Sequence, residues 1–176
     1  MPSVKVVSQM VVRLTVFFVV IKFIFTPIAW AQACGLEMHV EQKDEAGFRR
    51  LSPDNVVHSR DKVRVRITSR SSCYISLFWK TSSGQVYNLV SSQSRNASGL
   101  LMNPGDTHVL PGAEHWYRLD NVVGMEHITV VGSRNAIENL SAIGMSLATF
   151  ESRSTLLEFL GSELQETASI KLDHQD

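Results

Sequence analysis

Residues 61–67 read Asp61-Lys62-Val63-Arg64-Val65-Arg66-Ile67, with apolar and basic side chains in strict alternation. A period of two is the pattern of a half-buried strand, so Val63, Val65 and Ile67 are expected to face a core and Lys62, Arg64 and Arg66 to face water. After a short polar break comes Cys73-Tyr74-Ile75-Ser76-Leu77-Phe78-Trp79, then Ser83-Gly84, then Gln85-Val86-Tyr87-Asn88-Leu89-Val90. Two such runs around a Ser-Gly turn predict a hairpin. Upstream, Leu36-Glu37-Met38-His39-Val40-Glu41 alternates in the same way and predicts a first strand. A charged loop ending in Gly47 lets Phe48-Arg49-Arg50-Leu51 pair back. Ser52-Pro53-Asp54-Asn55 predicts a turn, with Pro53 pre-set for its corner.

Beyond the hairpin, residues 91–99 are rich in Ser and Asn without periodicity and predict a mobile surface loop. Asn103-Pro104-Gly105-Asp106 is a turn, and Thr107-His108-Val109-Leu110 is a short edge strand closed by Pro111-Gly112. Trp116-Tyr117-Arg118-Leu119 and Glu126-His127-Ile128-Thr129-Val130-Val131 are two further strands. Short strands at regular spacing with Gly/Pro turns indicate a mainly β chain, an antiparallel β-sandwich or a barrel, and the sandwich is the expectation adopted. The pattern changes after Gly132. Residues 136–140 predict a short helix, and Ser154 is an N-cap for a helix carrying Leu156, Leu157, Leu160 and Leu164 on one face. From Glu166 the chain is polar and is expected to fray. The resulting division is a signal peptide over 1–33, a β-sandwich domain over 34–150, and a C-terminal helical segment with a polar tail over 151–176.

The first 33 residues fall outside that fold. Lys5 and Arg13 precede an apolar run that passes Lys22 to Phe25, Pro27 breaks any helix, and Ala31-Gln32-Ala33 offers a small-x-small cleavage pattern. This is the arrangement of a secretory signal, and the apolar run is short of the ~20 residues a membrane crossing needs. An uncleaved anchor and a lipoprotein starting at Cys34 are the competing readings, although Gln32 fits a lipidation signal poorly. The whole chain holds 17 Lys+Arg and 17 Asp+Glu. Without Lys5, Arg13 and Lys22 the balance becomes 14 against 17, a net charge of −3, which argues against a nucleic-acid binder or a surface for anionic membranes. Membrane association is then expected only through an uncleaved signal or a lipid on Cys34.

The chain has two cysteines, Cys34 and Cys73. In an oxidising compartment they can pair and tie the new N-terminus to the hairpin; alternatively Cys73 is a buried thiol and Cys34 is lipidated or free. A thiolate–imidazole pair of Cys73 with His58 or His115 is conceivable, but Cys73 opens an apolar strand, where a core or disulfide role is favoured. His108, Glu114, His115 and His127 sit near strand ends without metal-ligand spacing, so no metal or cofactor is expected. No nucleophile-elbow or phosphate-loop motif is present. Asn96-Ala97-Ser98 and Asn139-Leu140-Ser141 match the glycosylation acceptor, which matters only in a eukaryotic secretory route. The aromatics Tyr74, Phe78 and Tyr87 on the hairpin are the candidate partner surface, weighed against full burial of the strand.

The order of these signals resembles the domain-of-unknown-function family 4384 (DUF4384). Asp61-Lys62-Val63-Arg64-Val65-Arg66, the strand from Cys73 to Trp79, the Ser83-Gly84-Gln85-Val86 turn, the Leu110-Pro111 step, the aromatic strand at Trp116 and Gly124-Met125-Glu126-His127-Ile128 follow the family's sequence of motifs over residues 58–133. Cys73 stands where the family has Gly, and the step after Val90 departs from it. The resemblance implies a small β-sandwich that is exported or appended to larger proteins, with no catalytic residues to carry over. An exported, non-enzymatic accessory or binding module of the bacterial envelope, with another envelope protein as partner, is therefore the expected function. The alternatives are a lipoprotein held through Cys34 and a cysteine enzyme using Cys73.

Overall fold

The computed structural model describes residues 34–90, 99–137, 139–149 and 166–176. Eleven strands and one helix occur among them. They are β1 (Leu36–Asp44), β2 (Gly47–Leu51), β3 (Asn55–His58), β4 (Lys62–Ser69), β5 (Cys73–Lys80) and β6 (Val86–Asn88). Then follow β7 (Leu100–Met102), β8 (Thr107–Leu110), β9 (Tyr117–Arg118), β10 (Gly124–Ser133), helix α1 (Leu140–Thr149) and β11 (Glu166–Gln175). The strands form two sheets. One runs β2-β1-β4-β8, with β9 also on β4; the other runs β3-β11-β10-β5-β6, with β7 also on β5. All pairings are antiparallel except β3 with β11. This is the expected sandwich.

The alternation explains how the sheets close. Val40, Val63, Val65 and Ile67 from the first sheet meet Ile75, Leu77, Ile128, Val130, Ile170 and Leu172 from the second in one buried core. Each such side chain contributes about 1.5–3 kcal/mol by leaving water. Arg64 departs from the expected pattern. It is buried on the outer face of β4, with its guanidinium 4.4 Å from the Phe48 ring centroid and 4.5 Å from that of Trp116. Its Nε donates to Glu41 Oε2 at 2.6 Å and its Nη1 to the Ala113 carbonyl at 2.7 Å. Residues 111–116 and the aromatic of β2 cover this strand from outside, so an outward position is not a wet one.

Three further expectations are corrected or displaced. The polar tail does not fray: Glu166–Gln175 is a ten-residue strand between β10 and β3. Ala168, Ile170 and Leu172 pack on the core at every second residue, so the sandwich extends past position 150 rather than ending there. The helix expected over 136–140 begins instead at Leu140, where the Asn139 side chain accepts the Ala142 N–H at 3.2 Å as an N-cap. Ile143, Leu140 and Leu147 of α1 pack on Phe78, Val131 and Ile137 over the outer face of β5. The helix expected after Ser154, the loop over 91–98 and the Asn96 acceptor lie outside the described residues. No helix among the described residues is long and apolar enough to cross a membrane.

Cys34 and Cys73 form a disulfide, with their Cα atoms 5.7 Å apart and both residues fully buried. Gly132 makes the room: a Cβ there would lie 3.0 Å from Cys34 Sγ, 3.2 Å from Cys73 Sγ and 2.7 Å from Leu36 Cδ1. The start of β1 is held a second time by Glu166, whose carboxylate accepts Gly35 N–H at 2.6 Å and Leu36 N–H at 3.2 Å.

Candidate functional site

The hairpin aromatics do not form one surface. In the β5–β6 register Phe78 faces Asn88 and Trp79 faces Tyr87, so Tyr87 shares the face of Trp79 and not that of Phe78. Phe78 is 2% exposed beneath α1, and Tyr74 is half-buried beside it. Tyr87, at 54% exposed, stands alone of the three as an open aromatic, on the opposite face of the hairpin from Phe78.

Tyr87 borders a cleft of about 220 Å³ lined also by Trp79, Thr81, Leu89, Tyr117, Arg118, Leu119, Asp120 and Glu126. The sequence dictates this composition in steps. Trp79 is the last core-facing residue of β5, so it closes the inner layer at its open end. Tyr117, from the two-residue β9, stacks edge-on against it with centroids 5.6 Å apart at 83°. Burial pushes the Tyr117 phenol up to about 12. Glu126 falls on the core-facing side of β10 in line with Ile128 and Val130, and is 2% exposed.

A buried carboxylate is costly unless its oxygens are paired. Trp79 Nε1–H donates to Glu126 Oε2 at 2.6 Å, and the Ser82 backbone N–H donates to Oε1 at 3.1 Å. His174, 1% exposed on β11, places Nδ1 3.5 Å from Glu126 Oε1 without hydrogen-bond alignment, while its Nε2 lies 3.3 Å from Ser59 Oγ. Asp120 is exposed at the cleft mouth and accepts the Val122 N–H at 2.8 Å. Aromatic walls thus converge on a floor closed by the buried, hydrogen-bonded Glu126 side chain.

The other candidate groups stay apart. Cys73 Sγ is bonded to Cys34, and neither His58 nor His115 has a thiolate to activate there. His58 is exposed, 4.0 Å from Asp61, and Glu114 and His115 lie exposed in the connection before β9. His108 is on β8 and His127 on β10, in different sheets. Among the described residues, the three ligating side chains that do come together are Asp120, Glu126 and His174, none of which the sequence pattern singled out. The available signal was parity: Glu126 occupies a core position two residues before Ile128, and a charge on an apolar face is the informative exception.

Comparison with known proteins agrees with the motif order. Residues 56–136 match the family model described as domain of unknown function DUF4384. That stretch includes β4, the β5–β6 hairpin, β9 and β10, and therefore most of the cleft lining. No curated protein matches the sequence. Among solved structures, the crystal structure of the C-terminal domain of wzt superposes with a TM-score of 0.39 at 13% identity, covering 84% of this chain and 77% of that one.

Proposed function

We propose that this chain is an exported, non-enzymatic binding module of the bacterial envelope, and that it docks a protein partner by taking one bulky apolar side chain into the Tyr87–Trp79–Tyr117 cleft. The observation that carries the reading is the cleft itself. At about 220 Å³ it is smaller than the ~300–1,000 Å³ of small-molecule pockets and suits a single inserted side chain. Aromatic residues that hold one exposed face and one anchored edge are the residue types that dominate docking energetics. Export is supported by the Ala31-Gln32-Ala33 pattern and by the buried disulfide, since such bonds persist in oxidising compartments.

The disulfide also weighs against both alternatives. A lipid thioether on Cys34 and a nucleophilic thiolate at Cys73 would each need a sulfur that the bond already uses. Intact mass of the protein from its native host tests that part: a chain starting at Cys34 that gains two hydrogens on reduction supports it, and acyl chains on Cys34 contradict it. Docking is tested by capture from envelope extract on the oxidised protein, compared with Tyr87→Ala and with Phe48→Ala on the opposite sheet. A captured protein lost tenfold or more with Tyr87→Ala and retained with Phe48→Ala is the expected result, on the ~2 kcal/mol scale of an aromatic anchor. Equal capture by all three would overturn the reading.

A further inference from the structure

We infer that Asp120, Glu126 and His174 form a binding site for a divalent first-row cation of the zinc type, on the floor of the cleft. The three side chains arrive from the β9–β10 connection, from β10 and from β11, and one donor atom of each lies within 4.8 Å of the others. Acidic residues near a histidine would not suffice. The second observation is His174 itself, 1% exposed, whose Nδ1 has no hydrogen-bond partner. With the Nε2 hydrogen donated to Ser59 Oγ at 3.3 Å, Nδ1 carries a buried, unpartnered lone pair, and Glu126 Oε1 lies 3.5 Å from it. Two electron-rich atoms then lie close together out of water, and a metal cation between them satisfies both.

The dimensions agree. Zinc bonds of ~2.0–2.2 Å to imidazole and carboxylate in tetrahedral geometry put neighbouring donors roughly 3.4 Å apart. His174 and Glu126 already stand at 3.5 Å. A carboxylate oxygen of Asp120 lies within 4.8 Å of both, and a small rotation of this exposed side chain closes the rest. The carboxylates are oriented as metal ligands usually are, by outer partners: Trp79 Nε1–H and Ser82 N–H on Glu126, and Val122 N–H on Asp120. Each oxygen retains a lone pair after accepting one such bond. A mixed nitrogen and oxygen set favours zinc over calcium or magnesium, which prefer oxygen alone. Asp120 and Glu126 also line the cleft, so the remaining coordination positions open towards it.

The competing arrangement is a protonated His174 ion-paired with Glu126. Calorimetric titration of zinc chloride into the untagged, chelator-treated protein at neutral pH, with ¹⁵N NMR of the His174 ring, separates the two. The expected result is one-to-one binding in the micromolar range, a Zn²⁺-dependent shift of His174 Nδ1, and affinity lowered tenfold or more by Asp120→Asn, an exposed change that leaves the core intact. Phe48→Ala, on the opposite sheet, leaves the zinc affinity unchanged, and the titration involves no protein partner, so failure here and failure of the docking proposal are distinguishable. Absence of saturable binding up to ~1 mM, equal affinity in Asp120→Asn, or a His174 protonated on both nitrogens and indifferent to zinc would each overturn the inference.

Discussion

Reducing the Cys34–Cys73 bond isolates the cross-link from everything it packs against, because both sulfurs stay in place. The cysteines are 39 residues apart in sequence. On the chain-entropy model a closed loop of that length disfavours the unfolded state by about 4 kcal/mol. Little of this is replaced in the unfolded chain, whereas in the folded state Cys34 remains held after reduction: Ser71 Oγ–H donates to its carbonyl at 3.0 Å, the Ser71 backbone N–H at 3.2 Å, and Gly35 N–H stays on Glu166. The reduced protein should therefore keep its fold and lose stability. Against the roughly 5–15 kcal/mol typical of a domain, 4 kcal/mol is a large share. With a urea slope of about 2 kcal/mol per M, the unfolding midpoint should fall by ~2 M on reduction with no change in slope beyond that from the unfolded chain's greater extension. Urea unfolding followed by tryptophan fluorescence, with and without reductant, measures it. A midpoint shift below ~0.5 M would refute the assignment of the bond as the tie between the N-terminal strand and the hairpin.

Other substitutions test the packing around it. Gly132→Ala puts a methyl against the disulfide sulfurs and should destabilise by about 1–3 kcal/mol in the same assay; an unchanged midpoint would contradict the close approach. Arg64→Leu leaves Glu41 with Arg66 as its remaining guanidinium and strips the cation from between Phe48 and Trp116. A loss of about 2 kcal/mol is expected, and Glu41→Leu added to it should recover part of that loss, since a buried carboxylate left with one of its two guanidinium partners is the costly element. Burial pushes the Glu41 carboxyl up, but hydrogen bonds from Arg66 and Arg64 outweigh it and hold the group below the ordinary carboxylate value. A lowered value in the folded state means its stabilisation is present above the unfolded value of ~4.3 and lost as pH falls through the folded one. The stability gap between wild type and Glu41→Gln should therefore be constant from about pH 5 to 7 and close in more acid solution; a gap that widens in acid would contradict the sign.

What the sequence made legible was whatever period two could carry with apolar residues. The 61–67 alternation became β4, and the Ser83-Gly84 turn became the β5–β6 hairpin. Glu166–Gln175 carries the same period in Ala168, Ile170, Leu172 and His174, but its inward set includes small and polar members, so the stretch resembled a tail. Its parallel partner β3 is more than a hundred residues away, and no local pattern encodes that pairing. Helix α1 was obscured by Gly144, two serines and the lack of any charge at either end, and only its Asn139 cap marks where it starts. The site suffered from parity. Tyr87 and Phe78 are both hairpin aromatics, yet one register step puts them on opposite faces, and that step is set by the turn rather than by either strand. Asp120, Glu126 and His174 are joined by the fold alone.

Photochemical cross-linking in the native host tests the docking cleft most directly. A benzophenone side chain at Tyr87, irradiated in living cells, should give a discrete adduct of higher mass with a single envelope protein. The same group at Phe48, equally exposed on the opposite sheet, should not. No adduct from Tyr87, or the same products from both positions, would contradict a partner surface at this end of the sandwich.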